Sequence, residues 1–113
     1  MHDEAADVAT TDWPQVVALY DVLARVAPSP LVQLNRAVAV AMRDGPAAGL
    51  ELLDALALDE RLSGYHLLPA ARADLLRRVG RHAEAAVAYR EALKLVGNEP
   101  ERRYLQRRLD EVS

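Results

Sequence analysis

Residues 73–93 read Ala-Asp-Leu-Leu-Arg-Arg-Val-Gly-Arg-His-Ala-Glu-Ala-Ala-Val-Ala-Tyr-Arg-Glu-Ala-Leu, and two helical patterns meet in them at Gly80. Upstream, Leu68, Ala71, Leu75, Leu76 and Val79 recur at spacings of three and four; downstream, Ala85, Ala88, Tyr89, Ala92 and Leu93 do the same. Such spacing lines apolar side chains along one stripe of each helix. The Gly80–Arg81 link is short, so the two helices must run antiparallel. A lone hairpin of this kind cannot bury both faces, and the pattern therefore calls for neighbours.

The stretch resembles a tetratricopeptide repeat. Ala73 takes the small position of the first helix, Leu76 its large one and Gly80 the turn; Ala85, Tyr89, Ala92 and Leu93 follow in the second helix. Small residues let the helix axes approach, and Tyr89 fills the space left between them. Arg72 stands where the repeat usually has Leu, and Gly97 where it usually has Pro. The repeat also recurs. Gly45 and Gly80 are 35 positions apart, close to the tetratricopeptide period of about 34. Pro28 and Tyr20 fall at the matching places of an earlier pair, and Asp59 to Gly64 holds the extra residue that shifts the register.

The chain outside the stretch divides into helices by its start and stop signals. Residues 1–10 read as the polar end of a preceding helix, as if Met1 opened part of a longer protein. Asp12 can cap a helix over 13–27, with Pro14 tolerated in its first turn. Its apolar face is Val16, Val17, Leu19, Tyr20, Leu23 and Val26. Pro28 and Pro30 separate it from a helix over 30–43, apolar nearly all round and so expected between others. Asp44-Gly45-Pro46 turns into a helix over 46–58 carrying Leu50, Leu52, Leu53, Leu56 and Leu58. Helices over 66–79 and 83–96 flank Gly80. Asn98 caps a last helix over 99–112, whose stripe is Tyr104, Leu105, Leu109 and Val112 and whose other side carries Arg102, Arg103, Arg107 and Arg108. The expected fold is one all-α domain over 1–113: antiparallel helix pairs stacked as a tetratricopeptide-like right-handed solenoid, closed by a C-terminal capping helix.

Composition bounds the function. The 113 residues are 51% hydrophobic, rich in Ala, Leu and Val, with no Phe and no Cys. That suits one close-packed helical core, and the lack of cysteine fits a reducing, cytoplasmic setting. The longest apolar run, Ala37 to Met42, is far short of the roughly 20 residues of a membrane span. A net charge of −3 argues against direct DNA binding. The charge is uneven: residues 1–60 hold ten acids and three bases (−7), residues 61–113 seven acids and eleven bases (+4). Such charge reads either as a solvated helix surface or as a basic end that meets an acidic partner. Ser29, Ser63 and Ser113 lie in no nucleophile elbow, His2, His66 and His82 have no metal-ligand spacing, and no phosphate-binding loop occurs. The expectation is a non-catalytic chain without metal or cofactor.

Candidate site residues come from polar positions in apolar helices. In repeat register the concave face carries Asn35, Ala39 and Met42 from one first helix and Ala70, Asp74 and Arg77 from the next, with Arg36 beside them. An Asn with an Arg can hold a peptide backbone or carboxylate. The competing reading makes such residues a structural network, pairing Arg72 or Arg36 with Glu84 or Glu101, since buried charges are normally paired. Trp13 reads as a staple against the next helix.

Over nearly the whole chain the motifs Thr11-Asp12-Trp13-Pro14-Gln15-Val16-Val17-Ala18-Leu19-Tyr20-Asp21, Pro28-Ser29-Pro30, Leu34-Asn35-Arg36-Ala37-Val38-Ala39 and Asp44-Gly45-Pro46 resemble one family. Gly64-Tyr65-His66, Ala71-Arg72-Ala73-Asp74-Leu75-Leu76 and Asn98-Glu99-Pro100-Glu101-Arg102 continue the likeness. The family is the extracytoplasmic-function RNA polymerase sigma factors that carry a C-terminal tetratricopeptide-like extension. The resemblance implies a regulatory domain that contacts the sigma regions of the same protein and RNA polymerase, while those regions themselves lie outside this sequence. Two further readings stand beside it: a peptide- or small-ligand-binding repeat module acting alone, and an oligomerisation domain.

Overall fold

The computed structural model describes residues 11–113. Among them it contains six α-helices, one 3₁₀ turn and no strand. The helices are α1 (Trp13–Val26), α2 (Pro30–Asp44), α3 (Pro46–Leu56), α4 (Leu67–Arg78), α5 (His82–Leu95) and α6 (Glu99–Val112), with the 3₁₀ turn (Glu60–Leu62) between α3 and α4. The expected helix end over residues 1–10 lies outside the described residues.

The helix ends are made by local chemistry. Asp12 accepts a hydrogen bond from the Gln15 amide at 3.2 Å, Ser29 from Leu31 at 3.1 Å and Asn98 from Glu101 at 2.9 Å. Each side chain thereby satisfies a first-turn amide that has no partner within the helix. Pro14, Pro30, Pro46 and Pro100 sit in first turns, where a missing N–H costs nothing. At the other end of α4, the Arg81 amide donates to the Leu76 carbonyl (2.9 Å) and the Gly80 amide to that of Arg77 (3.1 Å). This pair of bonds is a Schellman motif, and it needs a left-handed residue, supplied by Gly80 at φ +85°.

The helices pack in chain order, each against the next, and α2 also touches α4. The main core runs from α2 to α6 and contains Leu34, Leu53, Leu76, Tyr89 and Leu105. A smaller cluster, Val17 with Ala39 and Val40, joins α1 to α2, and Trp13 packs on it. Trp13 is thus the staple its position suggested.

Three expectations change. First, α3 stops at Leu56, and Leu58 is 85% exposed. Asp59 interrupts the helix: its carboxylate takes the Arg61 amide at 2.9 Å and the guanidinium, opening the 3₁₀ turn that buries Leu62 instead. Second, of the apolar stripe on α1 only Val17 is buried, while Leu19, Leu23 and Val26 are exposed. This helix packs against α2 alone among the described helices with substantial contact. Third, Val79 is partly exposed, since it lies in the turn where α4 has ended.

Candidate functional site

Three helices that are not consecutive border one open groove. From α2 come Leu34, Asn35 and Val38; from α4 and the residue before it, His66, Leu67, Ala70, Ala71 and Asp74; from α6, Glu101, Tyr104 and Leu105. The spacings 34/38, 70/74 and 101/105 are all one helical turn, so each helix offers a short stripe to the same space. The groove holds about 270 Å³. It continues past Val38, Ala71 and Asp74 to Met42, Leu75 and Arg78 in a narrower part of about 120 Å³.

Its floor is aliphatic and its polar groups are few. Asp74 is the centre of a network joining α4, α5 and α6. Its carboxylate accepts the Tyr89 hydroxyl, and the Tyr104 hydroxyl donates to it at 3.1 Å. Arg77 stands 3.9 Å from Asp74 and donates its Nε to the Tyr89 hydroxyl at 3.3 Å. Tyr89 itself is fully buried. Burial first, and then the Asp74 carboxylate, hold its phenol well above the ordinary tyrosine range, with Arg77 acting in the opposite sense. At the other end of the groove, Nε2 of His66 faces Oε2 of Glu101, where the start of α4 meets the first turn of α6. The Asn98 cap fixes that first turn.

The expected site residues divide. Asn35, Met42 and Asp74 border the groove, and Ala70, read on the same face, lines its floor. Arg77 lies beside the groove, held against Tyr89. Arg36 and Ala39 do not belong to it. Ala39 is buried against Val17, and Arg36 reaches Asp21 of α1 at 2.5 Å. The reason is angular: 35, 38 and 42 share one stripe of α2, whereas 36, 39 and 40 share the stripe that turns to α1.

The expected structural network is also corrected. Arg72 pairs with Asp54 of α3 at 2.8 Å, Glu84 with Arg81 in its own turn at 2.5 Å, and Glu101 with His66. No charged residue is buried among the described residues, so these are partly exposed pairs and carry little stability individually. The arginines that make residues 61–113 basic go mostly to such pairs, including Arg108 with Glu111 at 2.9 Å. None of the residues lining the wider groove is Arg or Lys. Tyr104 and His66 were not expected in the site, and Glu101 was expected only as a partner of Arg72 or Arg36 in the structural network. Tyr104 reads from sequence only as part of the buried stripe of α6, and nothing in sequence pairs it with Asp74, 30 positions away.

Among the described residues no three His, Cys, Asp or Glu side chains are placed to hold a metal ion, and no helix is long and apolar enough to cross a membrane. Chemically, the groove can cover an apolar body and bind polar groups at its rim.

Comparison with known proteins gives one informative relative. All 113 residues align, at 42% identity, with an uncharacterized protein of Rhizobium meliloti (strain 1021). The chain spans 26% of that protein's length, so there the matching segment is part of a chain about four times as long. No protein-family model matches the chain, and no solved structure matches it.

Proposed function

We propose that this chain is a non-catalytic protein-interaction domain, the tetratricopeptide-like regulatory extension of an extracytoplasmic-function sigma factor acting in the cytoplasm. It modulates transcription initiation by contacting the sigma regions of the same protein or RNA polymerase. In this reading α2–α3 and α4–α5 are stacked repeat pairs in a right-handed solenoid, α1 ends an earlier pair, and α6 is the cap.

The observation that carries the proposal is the groove itself. It is a largely apolar channel bordered by α2, α4 and α6, which in this reading are the first helices of two pairs and the cap. The length of the Rhizobium relative supports the reading as well, because three-quarters of that protein lies outside the match and leaves room for sigma regions. Regulation then requires that the domain bind one arrangement of those regions better than another.

The test is a calorimetric titration of this chain against the sigma-region portion of the same protein, at low and moderate salt. Saturable binding is the expected outcome, and weakening with salt would identify charge as part of the contact. Absence of heat in the titration, together with unchanged transcription when the domain is deleted from the whole protein, would overturn the proposal.

A further inference from the structure

The groove has a charge opposite to that of the half of the chain that mostly builds it. Residues 61–113 sum to +4, yet among the described residues the Asp, Glu, Lys and Arg side chains lining the wider groove are Asp74 and Glu101 alone. Arg72, Arg81 and Arg108 are committed to carboxylates elsewhere. Arg77, beside the groove, donates to the Tyr89 hydroxyl and stays 3.9 Å from Asp74, and Arg78 borders only the narrower continuation, where it lies 3.4 Å from the Met42 sulfur.

We propose that the groove binds a peptide segment whose apolar side chains cover its floor and whose arginine or lysine lies between Asp74 and Glu101. The inference rests on the interaction-domain reading and commits that segment to the sigma-region part of the same polypeptide, outside these 113 residues.

Size is the first argument. At about 270 Å³, with a further 120 Å³ past Asp74, the groove is at the small end of the roughly 300–1,000 Å³ of sites that enclose small organic ligands. It has room for a few side chains of a longer chain that passes over it. The floor is the second argument. Leu34, Val38, Leu67 and Leu105 surround Ala70 and Ala71, whose small side chains let a partner's backbone come close. Charge is the third. A carboxylate offers about four acceptor positions, and phenol hydroxyls fill only part of those on Asp74. A guanidinium can take what remains, since the Asp74 side chain is 29% exposed and lines the groove. An acidic segment would instead meet two like charges. Across the groove, the Asn35 amide can donate to and accept from a peptide backbone.

The test uses three short blocked peptides of one alanine- and leucine-rich sequence, with arginine, citrulline or glutamate at the central position. Each is titrated into the chain and followed by amide NMR. The arginine peptide should shift Asn35, Ala70 and Tyr104 and bind about five- to tenfold tighter than the citrulline peptide. The glutamate peptide should bind weakest. Glu101→Gln should narrow the advantage of the arginine peptide over the citrulline peptide, and Ala70→Leu should block all three by filling the floor. Equal binding of the arginine and glutamate peptides, shifts outside the groove, or no shift at millimolar peptide would overturn the inference. So would a dimer in light scattering that Ala70→Leu dissolves, because the groove would then belong to a second copy. Competition separates the two proposals. If the sigma-region portion binds and the arginine peptide does not displace it, the proposed function stands and the groove assignment falls. If the peptide binds the groove and the sigma-region portion does not bind, the cationic site stands while its source and the sigma reading fall.

Discussion

Tyr89 couples packing to the groove through a single hydroxyl. It is fully buried, donates to Asp74 and accepts from Arg77. Tyr89→Phe keeps the ring and removes both bonds. Asp74 keeps Tyr104 and some contact with solvent, so the expected cost is at the low end of the range of about 1.5–3 kcal/mol for a hydrogen bond to a charged group. The pH dependence follows from the raised phenol. The folded state holds the Tyr89 proton above the ordinary range, so this contribution is intact below about pH 10 and is lost as pH rises further, when the unfolded chain ionises first. Urea unfolding of both proteins across that range should show a constant gap below about pH 10 and a shrinking one above it. A gap that stays constant into strong alkali would refute the assignment. From sequence Tyr89 was legible as the large residue between two helices, and Asp74 as a residue of the common face. Their bond was not, because helical periodicity gives the face of each residue and not its partner 15 positions away. Arg72 shows the same limit: many carboxylates were available to it, and only packing of α3 on α4 selects Asp54.

Among the elements, the contact of α2 with α3 is set by Gly49. A Cβ there would lie 2.5 Å from the Ala41 Cβ and 3.0 Å from both the Ala37 carbonyl oxygen and a Leu75 methyl. Two effects oppose each other in Gly49→Ala. Helix propensity favours alanine by about 1 kcal/mol, whereas overpacking a tight contact costs about 1–3 kcal/mol. The nearest clashing atoms are a Cβ and a backbone oxygen, which cannot swing aside, so the clash should prevail. Thermal unfolding should show net destabilisation of about 1 kcal/mol; a rise in melting temperature would mean that α3 shifts freely. The helices were the most legible part of the chain, because caps and prolines are local. Asp12 and Asn98 cap the helices that their positions suggested. The end of α3 was less legible: Leu58 continues an apolar pattern, but a local Asp59–Arg61 interaction starts the 3₁₀ turn and buries Leu62 instead.

Across the described part of the molecule the first and last helices are held unequally. Each packs mainly on one neighbour, α1 on α2 and α6 on α5. Yet α6 places Leu105 and Leu109 in the main core, whereas α1 buries only Val17, in a cluster of its own with Ala39 and Val40. Leu52 touches both clusters, a narrow bridge between them. Regions with few buried apolar contacts open locally at lower free energy than the rest. Native-state hydrogen exchange should therefore find α1 less protected than α3 to α5, with α6 close to the core helices. Mutation sharpens the test. Leu53→Ala should cost about 2–5 kcal/mol and lower protection in every helix that exchanges by global unfolding. Val17→Ala should lower protection in α1 and leave α3 to α5 nearly unchanged. If Val17→Ala instead lowers every helix equally, the two clusters form one cooperative unit and α1 is not a separable end. The distinction bears on function, since the groove is built entirely from the main core side of α2, from α4 with His66, and from α6. Opening of α1 should leave peptide binding at the groove intact, so the Val17→Ala variant should retain the affinity of the parent chain.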